Sequence, residues 1–161
     1  PVGERLRELV LGAGEKLHPE TETLLMFAAR REHVDKVIAP QLAAGTWVVC
    51  DRFTDATYAY QAGGSGVSWD KIGVLERWVH PELSPDLTIL FDVSPAVGRK
   101  RLSGKGKPDR FEREQNAYFD RVRAAYLRRA GAKTGRIRVI DTHGRLAQVQ
   151  KELENILLIV C

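Results

Sequence analysis

The chain has 161 residues, enough for one domain with a hydrophobic core and too few for two ordinary ones. Hydrophobic residues make up 43% and charged residues 29% of the sequence, which excludes disordered, collagen-like and coiled-coil proteins. The longest uncharged apolar run, Ile156–Val160, is far shorter than a membrane span, and we expect neither a membrane segment nor a signal peptide. Two cysteines and four scattered histidines give no disulfide framework and no metal-ligand spacing, so we expect a reduced, cytoplasmic protein whose residues hold no metal.

The net charge of +4 conceals an uneven distribution along the chain. The stretch from Arg99 to Arg145 carries 15 basic and 5 acidic residues, whereas the rest carries 10 basic and 16 acidic residues. A basic segment on an acidic body indicates an anionic ligand at one place and not a surface coated with nucleic acid.

Segments with helical patterns alternate with short apolar runs along the chain. The helical segments are Val2–Leu11, Thr21–Ala44, Asp55–Gln61, Trp69–Val79, Pro95–Leu102, Glu112–Ala130 and Gly144–Leu158. The apolar runs are Thr46–Asp51, Leu87–Val93 and Arg136–Asp141, and none alternates with polar residues, which is typical of strands buried on both faces of a parallel sheet. This order predicts a doubly wound α/β fold with its ligand beyond the carboxyl ends of the strands. Three strands are few for such a sheet, and we expect further N-terminal strands that the sequence does not include.

Candidate binding residues follow the first predicted strand. Arg52 offers a planar fork for a phosphate, with Asp51 beside it, although a plain salt bridge at a strand end would look the same. Thr57 and Gln61 lie four residues apart on one helix face with Tyr60 beside them. These three groups suit the edge of a heterocycle, or they form the polar face of an amphipathic helix.

Arg30 lies in a helical stripe that is otherwise apolar and begins at Phe27. A charge on the buried side needs an anion or several acceptors, and an aromatic ring one turn away could stack on a base. The alternatives are an Arg30 side chain that reaches solvent or pairs with an internal carboxylate such as Glu22 or Asp51.

The segment RKRLSGKGKPDRFERE, residues 99–114, carries seven Lys and Arg residues, and two glycines and a proline interrupt its helical pattern. It is either a lid that closes over phosphates or a solvated basic turn. The stretch QAGGSG follows a predicted helix and lacks the Gly-Lys-Ser/Thr ending of a phosphate-binding loop, so we interpret it as a tight connection.

The segments PVGERLRELVL, LLMFAARREHV, DRFTDATYAYQ, SPDLTILFDVSP, PDRFE and VIDTHG together resemble the bacterial thymidylate kinases nearly end to end. The resemblance implies phosphorylation of dTMP to dTDP with ATP and Mg²⁺, a step of dTTP biosynthesis. It implies a three-layer P-loop kinase fold with a parallel sheet, one domain over residues 1–161 with a lid at about 99–114, and a homodimer without nucleic-acid or membrane partners.

By the same resemblance, positions of this chain take the family's roles. The acceptor nucleotide would be bound by Arg7, Phe27, Arg30, Asp51, Arg52, Thr57, Tyr60 and Gln61. Phe27 (or Met26) would stack on thymine, Arg30 would bind the base, and Arg52 would grip the phosphate. Arg52, Arg101 and Lys105 would be catalytic, and ATP would be approached by Arg101, Lys105, Thr142 and His143.

The sequence departs from the family pattern in three respects. The P-loop and the Arg-Glu-Pro-Gly-Gly segment that follows it are absent from the sequence, so we expect this chain alone not to turn over ATP. Ser65 stands where the family usually has an arginine, and Ser103 replaces a commonly basic lid position. The other readings are a different nucleoside monophosphate or deoxynucleoside kinase, or a non-catalytic basic module that binds nucleic acid.

Overall fold

The computed structural model describes residues 2–12, 17–102, 116–132 and 135–160. Its helices are α1 (Val2–Leu11), α2 (Pro19–His33), α3 (Ala39–Ala43), α4 (Thr54–Thr57), α5 (Trp69–Val79), α6 (Pro95–Leu102), α7 (Asn116–Gly131) and α8 (Leu146–Val160). Its strands are β1 (Thr88–Asp92) and β2 (Ile137–Asp141). Two π-helical segments, Val34–Ile38 and Tyr58–Gly64, continue α2 and α4 without a break. No helix in these ranges is long and apolar enough to cross a membrane.

The two strands form a parallel pair, with Thr88 opposite Ile137 and Asp92 opposite Asp141. The chain between them supplies α6 and α7, and α8 follows β2, so the order of elements is that of an α/β fold. Both strands end at an aspartate, and the carboxyl end of this sheet is where the sequence placed the ligand.

The prediction of a strand at Thr46–Asp51 is wrong for the described chain, in which this stretch is irregular. A strand needs a neighbour whose backbone groups complete the hydrogen-bonded ladder, and neither described strand lies beside it. Trp47 is 70% exposed and Val49 97% exposed, so the apolar pattern that suggested a buried strand finds no covering here.

The predicted helix at Thr21–Ala44 is confirmed, with a widened turn in its middle. His18 caps its start, because Nδ1 accepts a hydrogen bond from the Glu20 amide at 3.3 Å. Pro40 has no N–H, and its ring would collide with the carbonyl four residues before it in a regular α-helix. The preceding turn is π-helical, and Ala39 donates to the carbonyl of Val34, five residues back.

The core surrounds the π-helical segment Tyr58–Gly64. One side of it packs with α2 and α5 in a cluster of Phe27, Tyr58, Ala62, Val67 and Ile72. The other side packs on α7 in a cluster of Ala59, Tyr118, Val122 and Ala125. The chain that carries the polar residues Thr57, Tyr60 and Gln61 is therefore held between two apolar layers.

Two glycines allow the close contact with α7. A Cβ at Gly63 would lie 2.5 Å from Cβ of Ala125, and one at Gly64 would lie 2.5 Å from the ring of Tyr118. Arg121 of α7 donates to the carbonyls of both glycines, at 3.3 Å and 2.8 Å. The stretch QAGGSG is thus the end of a helix pressed against α7, and the turn follows it at Gly66, where φ is +80°.

Candidate active site

Arg30 is the centre of the polar cluster between α2 and α4. It is only 9% exposed, and its Nη2 donates to Oγ1 of Thr57 at 3.0 Å and to the carbonyl of Phe53 at 3.5 Å. Its guanidinium lies over the rings of Phe27 and Phe53, with Cζ 4.8 Å and 5.3 Å from their centres. The structure therefore places Arg30 and Thr57 together, and their roles in binding a base stay predictions.

The other terminal nitrogen of Arg30 is incompletely satisfied. Nη1 is buried and has no hydrogen-bond partner among the described residues. Burial lowers the pKa of Arg30 to about 10, so the side chain is still charged at neutral pH. A buried cationic donor without an acceptor is costly, and a ligand oxygen at this position would satisfy it.

The Phe27 ring packs against the guanidinium of Arg30. Its side chain is 1% exposed, with Arg30 over the ring and His80 stacked on it at 6.4 Å between ring centres. Met26, the other candidate for stacking on a base, is half-buried. The stacking role of either residue stays a prediction.

Gln61 forms a hydrogen bond with Glu22, which the sequence suggested only as a partner for Arg30. Its Nε2 donates to Oε1 of Glu22 at 2.9 Å, and the two side chains are 3% and 2% exposed. Glu22 lies on α2 two turns before Arg30, so the two helices are joined by two buried polar contacts.

Arg52 and Tyr60 form a second part of the site, nearer to solvent. Arg52 has a φ of +67°, a conformation that is uncommon for a residue with a side chain. Its guanidinium lies over the Tyr60 ring at 5.2 Å, and both Arg52 and Asp51 are exposed. Arg52 directly precedes Phe53, whose carbonyl binds Arg30, so the chain adjoining the polar cluster carries an exposed cation that an anionic group could reach.

Two buried polar residues of this region were missed in the sequence. Asp55 is 5% exposed and binds two arginines: Arg136 donates to both carboxylate oxygens at 2.8 Å and 2.9 Å, and Arg129 donates to one of them at 2.9 Å. Burial opposes ionisation of Asp55, but the hydrogen bonds and charges of Arg136 and Arg129 outweigh it and hold the pKa of the carboxyl below its ordinary value. The network ties α4 to α7 and to the start of β2.

His80 is the second residue that was missed. It is 5% exposed, contacts the Phe53 ring at 4.9 Å, and lies 2.7 Å from Oγ1 of Thr54 and 2.9 Å from the carbonyl of Leu83. A carbonyl only accepts, so Nδ1 donates to Leu83, while the Thr54 hydroxyl pairs with Nε2. His80 therefore fixes the start of α4.

The predicted ATP-side residues meet at the carboxyl ends of the two strands. Arg101 donates to the carbonyl of Thr142 at 2.8 Å, and the Thr142 hydroxyl donates to the carbonyl of Asp92 at 2.9 Å. Nδ1 of His143 contacts Oδ1 of Asp141 at 2.5 Å, and hydrogen bonds from the His143 backbone and ring hold the pKa of that carboxyl below its ordinary value. These contacts link the last turn of α6 to the loop after β2.

Among the described residues, Arg7 is the residue predicted to bind the acceptor nucleotide that is not brought to the Arg30 cluster. Arg7 is exposed on α1, and no described contact joins it to Arg30 or Arg52. Lys105 and Ser103 lie outside the described residues, as does most of the predicted lid. Their roles stay predictions.

The described residues contain no group of three or more His, Cys, Asp or Glu side chains placed to hold a metal ion. These residues therefore do not fit a metal centre built from protein ligands alone.

Comparison with known proteins identifies one family. The family described as thymidylate kinase matches residues 1–153. A thymidylate kinase of Nitrosomonas europaea is 57% identical over 155 residues, covering 96% of this chain and 72% of that protein. Thymidylate kinases of Bordetella pertussis (57% identical, 96% of this chain and 74% of that protein) and Methylobacillus flagellatus (55% identical, 98% and 76%) are similar over the same extent.

Proposed function

The chain belongs to the thymidylate kinase family, ATP-dependent nucleoside monophosphate kinases that phosphorylate dTMP, and we propose that the cluster around Arg30 is its dTMP site. The observation that carries the proposal is the buried Nη1 of Arg30, which has no acceptor among the described residues. A carbonyl oxygen of a pyrimidine base would supply that acceptor. Thr57 binds the same guanidinium, Gln61 follows Thr57 by four residues, and Arg52 directly precedes Phe53, whose carbonyl Arg30 binds.

Arg52 is proposed to bind the phosphate of dTMP. The acceptor is itself an anion, so the reaction needs no strong general base, and the barrier lies in bringing two anionic groups together. An exposed guanidinium held over Tyr60 is free to turn toward a phosphate with little change in its surroundings. Arg52 thus positions the attacking oxygen and offsets part of the repulsion.

The ATP side is proposed to involve the basic residues of the predicted lid. Arg101 already contacts the loop that holds Thr142 and His143, and this contact supports an adenine-binding role for the loop. Lys105 is proposed, from the family resemblance, to approach the transferring phosphoryl group. Mg²⁺ is proposed to accompany ATP, where it would neutralise part of the charge on the phosphates.

We further propose one domain over residues 1–161, a homodimer, a cytoplasmic location and no nucleic-acid partner. The family match over residues 1–153 supports the single domain. Exposed apolar side chains on α5, Val74 at 54% and Trp78 at 77%, support an interface with a second copy.

Calorimetric titration of dTMP into the wild-type protein and two arginine variants tests the proposed base site. Arg30→Lys removes the fork that binds Thr57 and reaches the base, and it should weaken dTMP binding about tenfold or more. Arg31→Lys is the matched control, since Arg31 is half-exposed and binds Asp35 and the Val79 carbonyl. Equal dTMP affinity in the wild type and Arg30→Lys would refute the site.

A further inference from the structure

Two polar contacts join α2 to the segment that follows the Arg52 loop. Arg30 binds Thr57 at 3.0 Å, and Gln61 binds Glu22 at 2.9 Å, eight residues earlier on α2. Both members of the second pair are almost completely buried. No role in the reaction follows from the family motifs for Glu22, yet its carboxylate fixes a residue that borders the proposed base site.

The contact determines which way the Gln61 amide faces. An ionised carboxylate only accepts hydrogen bonds, whereas a glutamine amide donates from its nitrogen and accepts at its oxygen. Because Nε2 donates to Glu22, the Gln61 oxygen is turned away from Glu22. The flipped amide would bring oxygen against carboxylate oxygen in a buried place, which is strongly unfavourable.

Gln61 follows Thr57, the residue that Arg30 binds, by four residues, about one turn further along the same helical segment. An acceptor oxygen from Gln61 and an N–H donor from Arg30 would together match the imide edge of thymine or uracil, which offers an N–H at N3 and a carbonyl at C4. Cytosine offers the reverse at both positions.

We infer that Glu22 is a positioning residue that acts through Gln61 to make this site select pyrimidines with an imide edge and reject cytosine. The inference rests on the proposed dTMP site. It adds a residue that does not touch the nucleotide and a chemical basis for discrimination between bases.

The test compares the affinities of dTMP, dUMP and dCMP, measured by calorimetry on the wild-type protein and Glu22→Gln. The variant has the same shape but can pair with the amide of Gln61 in either orientation, so the preference for dTMP over dCMP should fall about tenfold. The ratio of dTMP to dUMP affinity should not change, because both bases present the same imide edge. Glu20→Gln is the matched control: this residue lies two positions away on α2, contacts Lys71 at the surface, and should leave all three affinities unchanged.

An equal loss of affinity for all three nucleotides, or an unchanged preference for dTMP over dCMP, would mean that Glu22 has only a structural role. Similar affinity of the wild-type protein for dTMP and dCMP would instead refute the proposed dTMP site. If Glu22→Gln does not fold, the double variant E22Q/Q61E tests whether the pair at positions 22 and 61 sets the preference for dTMP over dCMP. Its new amide at position 22 donates to a carboxylate at position 61, which presents only acceptors, so the preference for dTMP should return; a folded double variant without this preference would overturn the inference.

Discussion

Asp55 gives the most quantitative prediction for this fold. Its carboxylate is buried and accepts hydrogen bonds from Arg129 and Arg136, and Asp55→Asn removes the negative charge that both arginines share, leaving Arg129 a longer contact to Glu76 at 3.9 Å. Breaking a buried ion pair by removing one partner costs about 3–5 kcal/mol, because the remaining charge is left uncompensated. The arginine side chains are 22% and 15% exposed, and the asparagine oxygen keeps one acceptor, so we expect a loss at or just below the lower limit of this range, about 2–3 kcal/mol.

The stability that the Asp55 carboxylate contributes depends on pH. The folded-state pKa of Asp55 lies below its ordinary value, so the carboxylate contributes stability at and above the ordinary pKa near 4 and loses it as pH falls through the folded-state value. The difference in unfolding free energy between the wild type and Asp55→Asn should therefore be full at pH 7 and should shrink toward pH 3.

Urea unfolding followed by circular dichroism, at pH 7 and at several values down to pH 3, measures both effects. Asp86→Asn serves as the control, since Asp86 is exposed in a loop, and it should change the free energy of unfolding by less than about 0.5 kcal/mol. A loss at pH 7 no larger than that of the control, or a difference that persists unchanged at pH 3, would refute the interpretation of Asp55 as a charge-paired anchor of α4.

Three further changes test other parts of the structure. Arg52→Ala should weaken dTMP binding about tenfold in calorimetry while leaving thymidine binding unchanged, since only the phosphate contact is lost; an equal loss for both ligands would contradict the phosphate role. Gly63→Ala should lower the free energy of unfolding by about 1–3 kcal/mol in urea, because the added methyl would overlap Ala125, and a neutral effect would mean that α7 is not in tight contact. Arg101→Ala should reduce the thermal stabilisation that ATP provides and leave that of dTMP unchanged, because it frees the Thr142 loop; equal losses with both nucleotides would contradict this assignment.

The sequence predicted the elements whose pattern is local. α5 and α6 begin and end where helical spacing placed them, and β1 and β2 fall within the apolar runs that indicated them. Thr46–Asp51 has the same apolar pattern but no adjacent strand, and pairing is not a property that one segment's composition can show. The two π-helical turns were not predicted; the first ends just before Pro40, and the second packs against α7.

The candidate site also contains residues that the sequence predicted and residues that it missed. Arg30 was identified because a charge in an apolar stripe is visible in one helix. Asp55 was missed because its partners are 74 and 81 residues away in the chain, a distance over which spacing carries no information. The bond from Gln61 to Glu22 spans 39 residues and was hidden for the same reason, although a Glu on the buried side of a helix is a signal that a partner exists.

The exposed stretch at Thr46–Cys50 has a consequence for the behaviour of the protein in solution. It is short, apolar, uncharged and free of proline and glycine, and its backbone is not engaged in the described sheet. Segments of this kind pair readily with an identical segment of another molecule, edge to edge. Concentrated samples of these 161 residues alone should therefore become turbid over time, at a rate that rises steeply with protein concentration, and Val49→Lys, at a nearly fully exposed position, should keep the solution clear.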